Sequence, residues 1–163
     1  MLTAEAMANL SDLSKLSKAL NDESNKVNEI LLDFEKKLVA MNLGVEAWVT
    51  LKEESYSEEI QEGDDRQVKC LKVTQLGFGE WSGEYQLLIK FIDFMETVTP
   101  YGNPDWDTRQ EYGKRPIRGA SREIRVMALE NLENLLDALM AEANRVLSAI
   151  KKGRKIVDNL ETK

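Results

Sequence analysis

The chain has no histidine and one cysteine, Cys70. Without an imidazole, the Ser-His-Asp and Cys-His arrangements of nucleophilic catalysis cannot be assembled within it. Zinc chemistry is nearly closed as well, because one thiol and no imidazole leave only carboxylates as ligands. Carboxylate-based hydrolysis, Mg²⁺ or Ca²⁺ binding and lysine chemistry stay open. A lone cysteine cannot close an internal disulfide, in keeping with a reducing compartment. No apolar run approaches the roughly 20 residues that span a bilayer. The opening MLTAEAMANLSDL is acidic and amphipathic, without the basic-then-apolar order of a signal peptide. The expected location is the cytoplasm, with no membrane partner.

The formal charge is −7, so long-range repulsion opposes non-specific binding of the whole surface to a phosphate backbone. With 163 residues, 42% apolar and 31% charged, the chain is long enough to bury a core without staples and carries an enriched charged surface. One domain over residues 1–163 is expected.

Proline and glycine are missing from Thr3 to Met41. Within that span a stripe recurs at alternating steps of three and four: Leu10, Leu13, Ser17, Leu20, Ser24, Val27, Leu31, Phe34, Leu38 and Met41. Such spacing keeps one seam on one helix face. With Thr3 as N-cap and Gly44 as stop, a helix over 3–41 is expected. Asn21 to Asn25 are poor helix formers and the place where it would kink; the unbroken seam argues for continuity. The closing segment repeats the pattern from the N-cap Ser121, through Leu129, Leu132, Leu136, Leu139, Ala143, Val146, Ile150, Gly153, Val157 and Leu160. A second helix over 121–160 follows, weakened at Gly153. At ~1.5 Å per residue each would be roughly 60 Å long. Matched lengths predict antiparallel, coiled-coil-like packing that sets Lys151, Lys152, Arg154 and Lys155 near Glu5 and Asp12. The helix dipole alone also accounts for that basic cluster.

Between the helices the period falls to two. Val45, Ala47, Val49 and Leu51 share one face of a strand; Glu46, Trp48, Thr50 and Lys52 share the other. The acidic stretch from Glu53 to Asp65 reads as a solvated connection, or as a decoy for a nucleic-acid-binding partner. Two further strands flank Ser82 and Gly83, a pair suited to a two-residue hairpin turn. That turn makes opposing residue numbers sum to 165. Phe78 then meets Leu87, Leu76 meets Ile89, Thr74 meets Phe91 and Cys70 meets Met95. The charges agree, with Lys72 opposite Asp93 and Lys69 opposite Glu96. The second face gathers Leu71 with Phe94 and Val73 with Ile92. If the helices cover only the first face, this patch is left for a partner. Gly77 and Gly79 lack the helix a phosphate loop requires and read as a bulge or strong twist. Cys70 reads as a small core residue. The fold class is therefore α+β: long terminal helices around a three- to four-stranded antiparallel β-meander over 44–98.

Residues 99–120 read as a basic aromatic loop. From Pro100 to Arg125 six basic residues (Arg109, Lys114, Arg115, Arg118, Arg122, Arg125) face four acidic ones, with Tyr101, Trp106 and Tyr112 interleaved. Aromatic planes and guanidinium forks suit bases, phosphates or a partner's carboxylates. Equally, Trp106 and Tyr112 can pack over the sheet while the arginines pair with acids. Asp105 and Asp107 suit a turn better than a cation site, because the glycine and distal glutamate of a calcium loop are missing.

No stretch carries a motif specific enough to name a reaction or ligand. The expectation is a non-enzymatic protein–protein interaction module without cofactor, an adaptor, assembly factor or inhibitor, acting as a homodimer. Its candidate contact residues are Trp48, Leu71, Val73, Ile92 and Phe94 on the sheet, and Tyr101, Trp106, Arg109, Tyr112, Lys114, Arg115, Arg118 and Arg122 on the basic segment. Nucleic-acid or phosphate binding through 101–125 is the alternative.

Overall fold

Thr3 opens the first helix by accepting the Ala6 N–H on Oγ1 at 3.2 Å. The helix, α1 (Ala4–Met41), runs unbroken through the polar stretch at Asn21–Asn25. Its side chains there bond outward and so do not compete for the helix backbone: Lys26 reaches Glu23 at 2.7 Å, and Asn21 accepts from Arg122 at 2.9 Å. The chain leaves α1 at Asn42, in the left-handed region at φ 51°, two residues before the glycine expected to stop it. The structure, a computed structural model, describes residues 1–59, 67–98 and 106–162, with side chains over 1–56, 69–96 and 109–162.

Among the described residues four strands follow: β1 (Ala47–Glu59), β2 (Gln67–Trp81), β3 (Glu84–Val98) and β4 (Trp106–Pro116). They form an antiparallel sheet in chain order, so the architecture is α+β with a β-meander. Ser82 and Gly83 both take positive φ, 52° and 83°, as the tight hairpin turn requires. Every β2–β3 pair sums to 165, including Phe78 with Leu87, Leu76 with Ile89, Lys72 with Asp93 and Lys69 with Glu96.

Three local expectations are corrected. The segment read as a loop over 99–120 contains β4, whose seven residues from Arg109 to Arg115 are all exposed. Its charged, outward-looking composition hid a period of two, as suits an edge strand. Gly113 sits at φ 63° where the β3–β4 register slips opposite Lys90, a glycine-led bulge. A second slip between Thr50 and Lys52 turns Lys52 to the helix-bearing face, where it pairs with Glu54 at 2.8 Å and reaches Glu123 at 3.6 Å. At Gly77 and Gly79 there is no bulge, because the register runs straight through both. They are instead bare backbone beneath side chains of β1. A Cβ on Gly77 would fall 2.3 Å from the Trp48 indole, and one on Gly79 2.9 Å from the Glu46 carboxyl carbon.

After a 3-10 turn at Ile117–Gly119, Ser121 accepts the Ile124 N–H on Oγ at 3.3 Å and starts α2 (Arg122–Glu130). The single closing helix expected over 121–160 is divided at Asn131, at φ −110° and ψ 10°. There the Asn131 Nδ2 donates to the Met127 carbonyl at 2.9 Å, a side chain competing with the helix ladder. Beyond it α3 (Leu132–Glu161) continues through Gly153.

All three helices feed one core on one sheet face. Leu31 and Leu38 of α1, Ala128 of α2, and Leu135 and Leu139 of α3 meet Ala47, Leu76, Phe78, Leu87 and Ile89. Leu135, left off the stripe read from the sequence, is fully buried, while Leu136 on that stripe is exposed. A sheet receives a wider stripe than a second helix would. The long helices pack on other elements and not along one another: α1 on α2 and β3, α3 on β1 and β2.

The β2–β3 hairpin overhangs both neighbours, since β1 pairs only to Phe78 and β4 only to Leu88. Each overhang presents a backbone N–H that a carboxylate accepts: Glu46 Oε1 takes Glu80 N–H at 2.9 Å, and Glu35 Oε2 of α1 takes Leu87 N–H at 2.8 Å. The second bond is buried and pins α1 to the hairpin tip. Glu35→Ala should cost about 1–3 kcal/mol by leaving that donor unpaired. Glu35→Gln, which keeps an acceptor, should lose markedly less in urea denaturation; equal losses would assign the effect to packing alone. Gly113→Ala should also cost about 1–3 kcal/mol through its positive φ, with a Cβ only 2.8 Å from the Phe91 ring. An unchanged midpoint would remove the constraint assigned to it.

Candidate interaction surfaces

The second sheet face is roofed by its own cations. The Trp48 ring lies against the Gly77 backbone, with Lys90 Nζ 4.0 Å and Lys114 Nζ 5.7 Å from its centroid. The Arg109 guanidinium stands 5.9 Å from the Phe94 ring and is held by Glu111 at 2.7 Å. Lys90 reaches the same Glu111 oxygen at 3.5 Å. Beneath them Val73 and Ile92 are buried, while Trp48, Leu71 and Phe94 are half-buried. The apolar patch expected to lie open is thus largely closed within the single chain.

The basic aromatic segment is dispersed over the fold. Tyr101 and Asp105 lie outside the described residues, as do residues 60–65 of the acidic stretch; its first part, Glu53 to Glu59, belongs to β1 and not to the solvated connection expected there. Trp106 opens β4 opposite Glu96; its side chain and that of Asp107 are outside the described set. Arg109 and Lys114 serve the second face. Tyr112 and Arg115 align with Phe91 and Ile89 on the helix-bearing face. Tyr112 stacks on Phe91 with ring centroids 5.7 Å apart, and its hydroxyl donates to Asp93 at 3.3 Å. Arg118 stands in the 3-10 turn. Arg122 donates to Asn21 at 2.9 Å, and Arg125, one helical turn on, donates to Asn28 at 2.5 Å. These two bonds dock α2 on α1 across one heptad of the polar stretch. Among the described residues no group of three or more Asp, Glu or Cys is placed to hold a metal, and no helix is long and apolar enough to cross a membrane.

Among the described residues, most of the exposed large hydrophobics lie elsewhere, along the rods. Every residue from Met7 to Glu23 of α1, and from Leu147 to the end of α3, is exposed. Leu10, Leu13 and Leu20 are 49%, 61% and 53% exposed; Ile150, Val157 and Leu160 are 55%, 52% and 68%. The same seams supply the core farther along each helix, at Leu31 and Leu38 and at Leu139. Each rod therefore spends one part of its stripe on this chain and carries the other part free. The sequence held a signal for this: helices read as roughly 60 Å long outreach a three- to four-stranded sheet about 10–20 Å wide.

Comparison of the chain with known family models, curated proteins and solved structures returns no match.

Partial desolvation of the otherwise exposed Tyr112, reinforced by the neighbouring Asp93 carboxylate, holds its phenol above the ordinary value of 10.0. A raised folded value means that this contribution to stability is present below pH 10 and is lost as pH rises through the folded value. Tyr112 should therefore titrate above an ordinary tyrosine in ring-labelled NMR spectra. The Tyr112→Phe variant should lose stability less steeply in alkali than the parent. Titration at or below the ordinary value would contradict the packing described for Phe91, Asp93 and Tyr112.

Proposed function

We propose that the protein is a non-enzymatic protein–protein interaction module, an adaptor, assembly factor or inhibitor, that works as a homodimer joined through the free parts of α1 and α3. The observation carrying this reading is the division of each apolar stripe between a buried part and an exposed part. Helices isolated in water are marginal, and most of their stability comes from packing one face. Seventeen consecutive exposed residues of α1, Met7 to Glu23, therefore call for a covering surface.

A second copy supplies one. From Ala4 to Glu23 α1 carries four acidic residues (Glu5, Asp12, Asp22, Glu23) against Lys15 and Lys18, a net −2. From Leu147 to Glu161 α3 carries four basic residues (Lys151, Lys152, Arg154, Lys155) against Asp158 and Glu161, a net +2. The segments are roughly 30 and 22 Å long, and opposite charge beside an apolar seam favours antiparallel pairing. The coiled-coil-like contact expected within one chain is thus assigned between chains. The sheet face is the poorer contact, because Val73 and Ile92 are already buried. The division of the basic segment between two faces likewise weighs against its acting as one nucleic-acid surface.

Light scattering on the eluting protein at micromolar concentration should give twice the chain mass of 18.6 kDa. The double variant Leu13→Asp, Ile150→Asp should elute as a monomer while its sheet and core stay intact by NMR, because both residues are exposed. A monomeric parent would sink the reading. So would a dimer indifferent to those changes but abolished by Leu71→Asp.

A further inference from the structure

Between α1, the 3-10 turn and α2 lies a cleft of about 290 Å³. Leu31, Leu32 and Ile117 form its apolar walls, and its polar groups are Asn28, Glu35, Arg118 and Arg125. The Glu35 Oε2 is engaged by the Leu87 N–H at 2.8 Å. Arg125 donates from Nη1 to a neutral acceptor, Asn28 Oδ1, and its Nε is buried without an acceptor. Arg118 is exposed and, among the described residues, has neither a hydrogen bond nor an ion pair. Two guanidinium groups against one carboxylate leave the lining at +1.

A half-buried cation beside apolar walls is ordinarily matched by an anion, because an unpaired one costs desolvation free energy. Here neither arginine has a carboxylate at ion-pair distance among the described residues. A larger cleft of about 390 Å³ shares Glu35 and Arg118, but its remaining charged group is Glu84. Its lining is therefore acidic on balance and repels anions, which leaves the smaller cleft as the place for one.

We propose that this smaller cleft binds a small organic monoanion, a carboxylate on a short apolar body. The carboxylate takes donors from Arg118 and from the Arg125 guanidinium, whose Nε lacks an acceptor. The body lies against Leu31, Leu32 and Ile117. At ~30 Å³ per non-hydrogen atom, by the measure of liquid water, the volume suits about ten such atoms. A lone +1 favours a single negative charge, and apolar walls give an inorganic ion nothing to bury. The site lies in the buried part of α1, apart from the exposed segments assigned to dimer contact, so its test is independent of that reading.

The probes are octanoate, octan-1-ol and inorganic phosphate, added to the full chain with methyl-labelled Leu and Ile. Octanoate should shift the Leu31, Leu32 and Ile117 methyl signals in a saturable way, with octanol weaker and phosphate without effect on them. Arg118→Gln, at an exposed position that the core does not need, should weaken octanoate about ten- to a hundredfold, the loss of one charge-assisted hydrogen-bond partner. Arg125→Gln should weaken it too; it also touches the α1–α2 contact, so Arg118→Gln decides. Absence of methyl shifts, equal binding of octanol, or octanoate affinity unchanged in Arg118→Gln would each overturn the proposal.

Discussion

The structure depends on one constraint, the two-residue turn at Ser82 and Gly83. It fixes the β2–β3 register, and a slip of one residue would send every side chain to the opposite face. With the register set, Leu76, Phe78, Leu87 and Ile89 lie together on one side, and the core forms there near the hairpin tip. Both edge strands stop short of that tip, which leaves backbone donors that Glu35 and Glu46 accept. Glu35 brings α1 to the same place from which its Leu31 and Leu38 reach the core. The position of the first helix is thus a consequence of hairpin geometry.

That anchoring also explains the uncovered surface. The core is concentrated, so it engages only the second part of α1 and the first part of α3. The rest of each rod continues outward with its seam intact. The second sheet face, by contrast, is completed locally. Gly77 lets the Trp48 ring lie flat on the backbone, and Lys90, Lys114 and Arg109 close over the aromatic rings with their long stems. The proposed interaction surface and the proposed anion cleft accordingly fall on different parts of α1, the first where its stripe is free and the second where α2 and the 3-10 turn close against it.

Much of this was legible in the sequence where a local rule acts alone. Thr3 and Ser121 cap their helices, and the hairpin register follows from the turn and the facing charges. Legibility failed where tertiary context overrides the local rule. The edge strand β4 reads as a charged loop because none of its residues from Arg109 to Arg115 is buried. Asn131 divides the closing helix through a side-chain bond that spacing does not reveal. The bulge at Leu51 moves Lys52 across the sheet, which a strict alternation cannot foresee. For the candidate surface the stripes were visible, but which part of each stripe the chain itself uses became plain only once the core was located. Arg118 was legible as a basic residue; its solitude beside Arg125 was not.

The central claim is that the free segment of α1 meets a second copy of the chain. Double electron–electron resonance on a single nitroxide at Ser14→Cys, in a Cys70→Ala background, tests it directly, since one label per chain makes any dipolar signal intermolecular. The account gives a defined label-to-label distance that disappears on addition of Leu13→Asp and Ile150→Asp. A featureless decay in the parent protein, or a distance that survives those two substitutions, would contradict it.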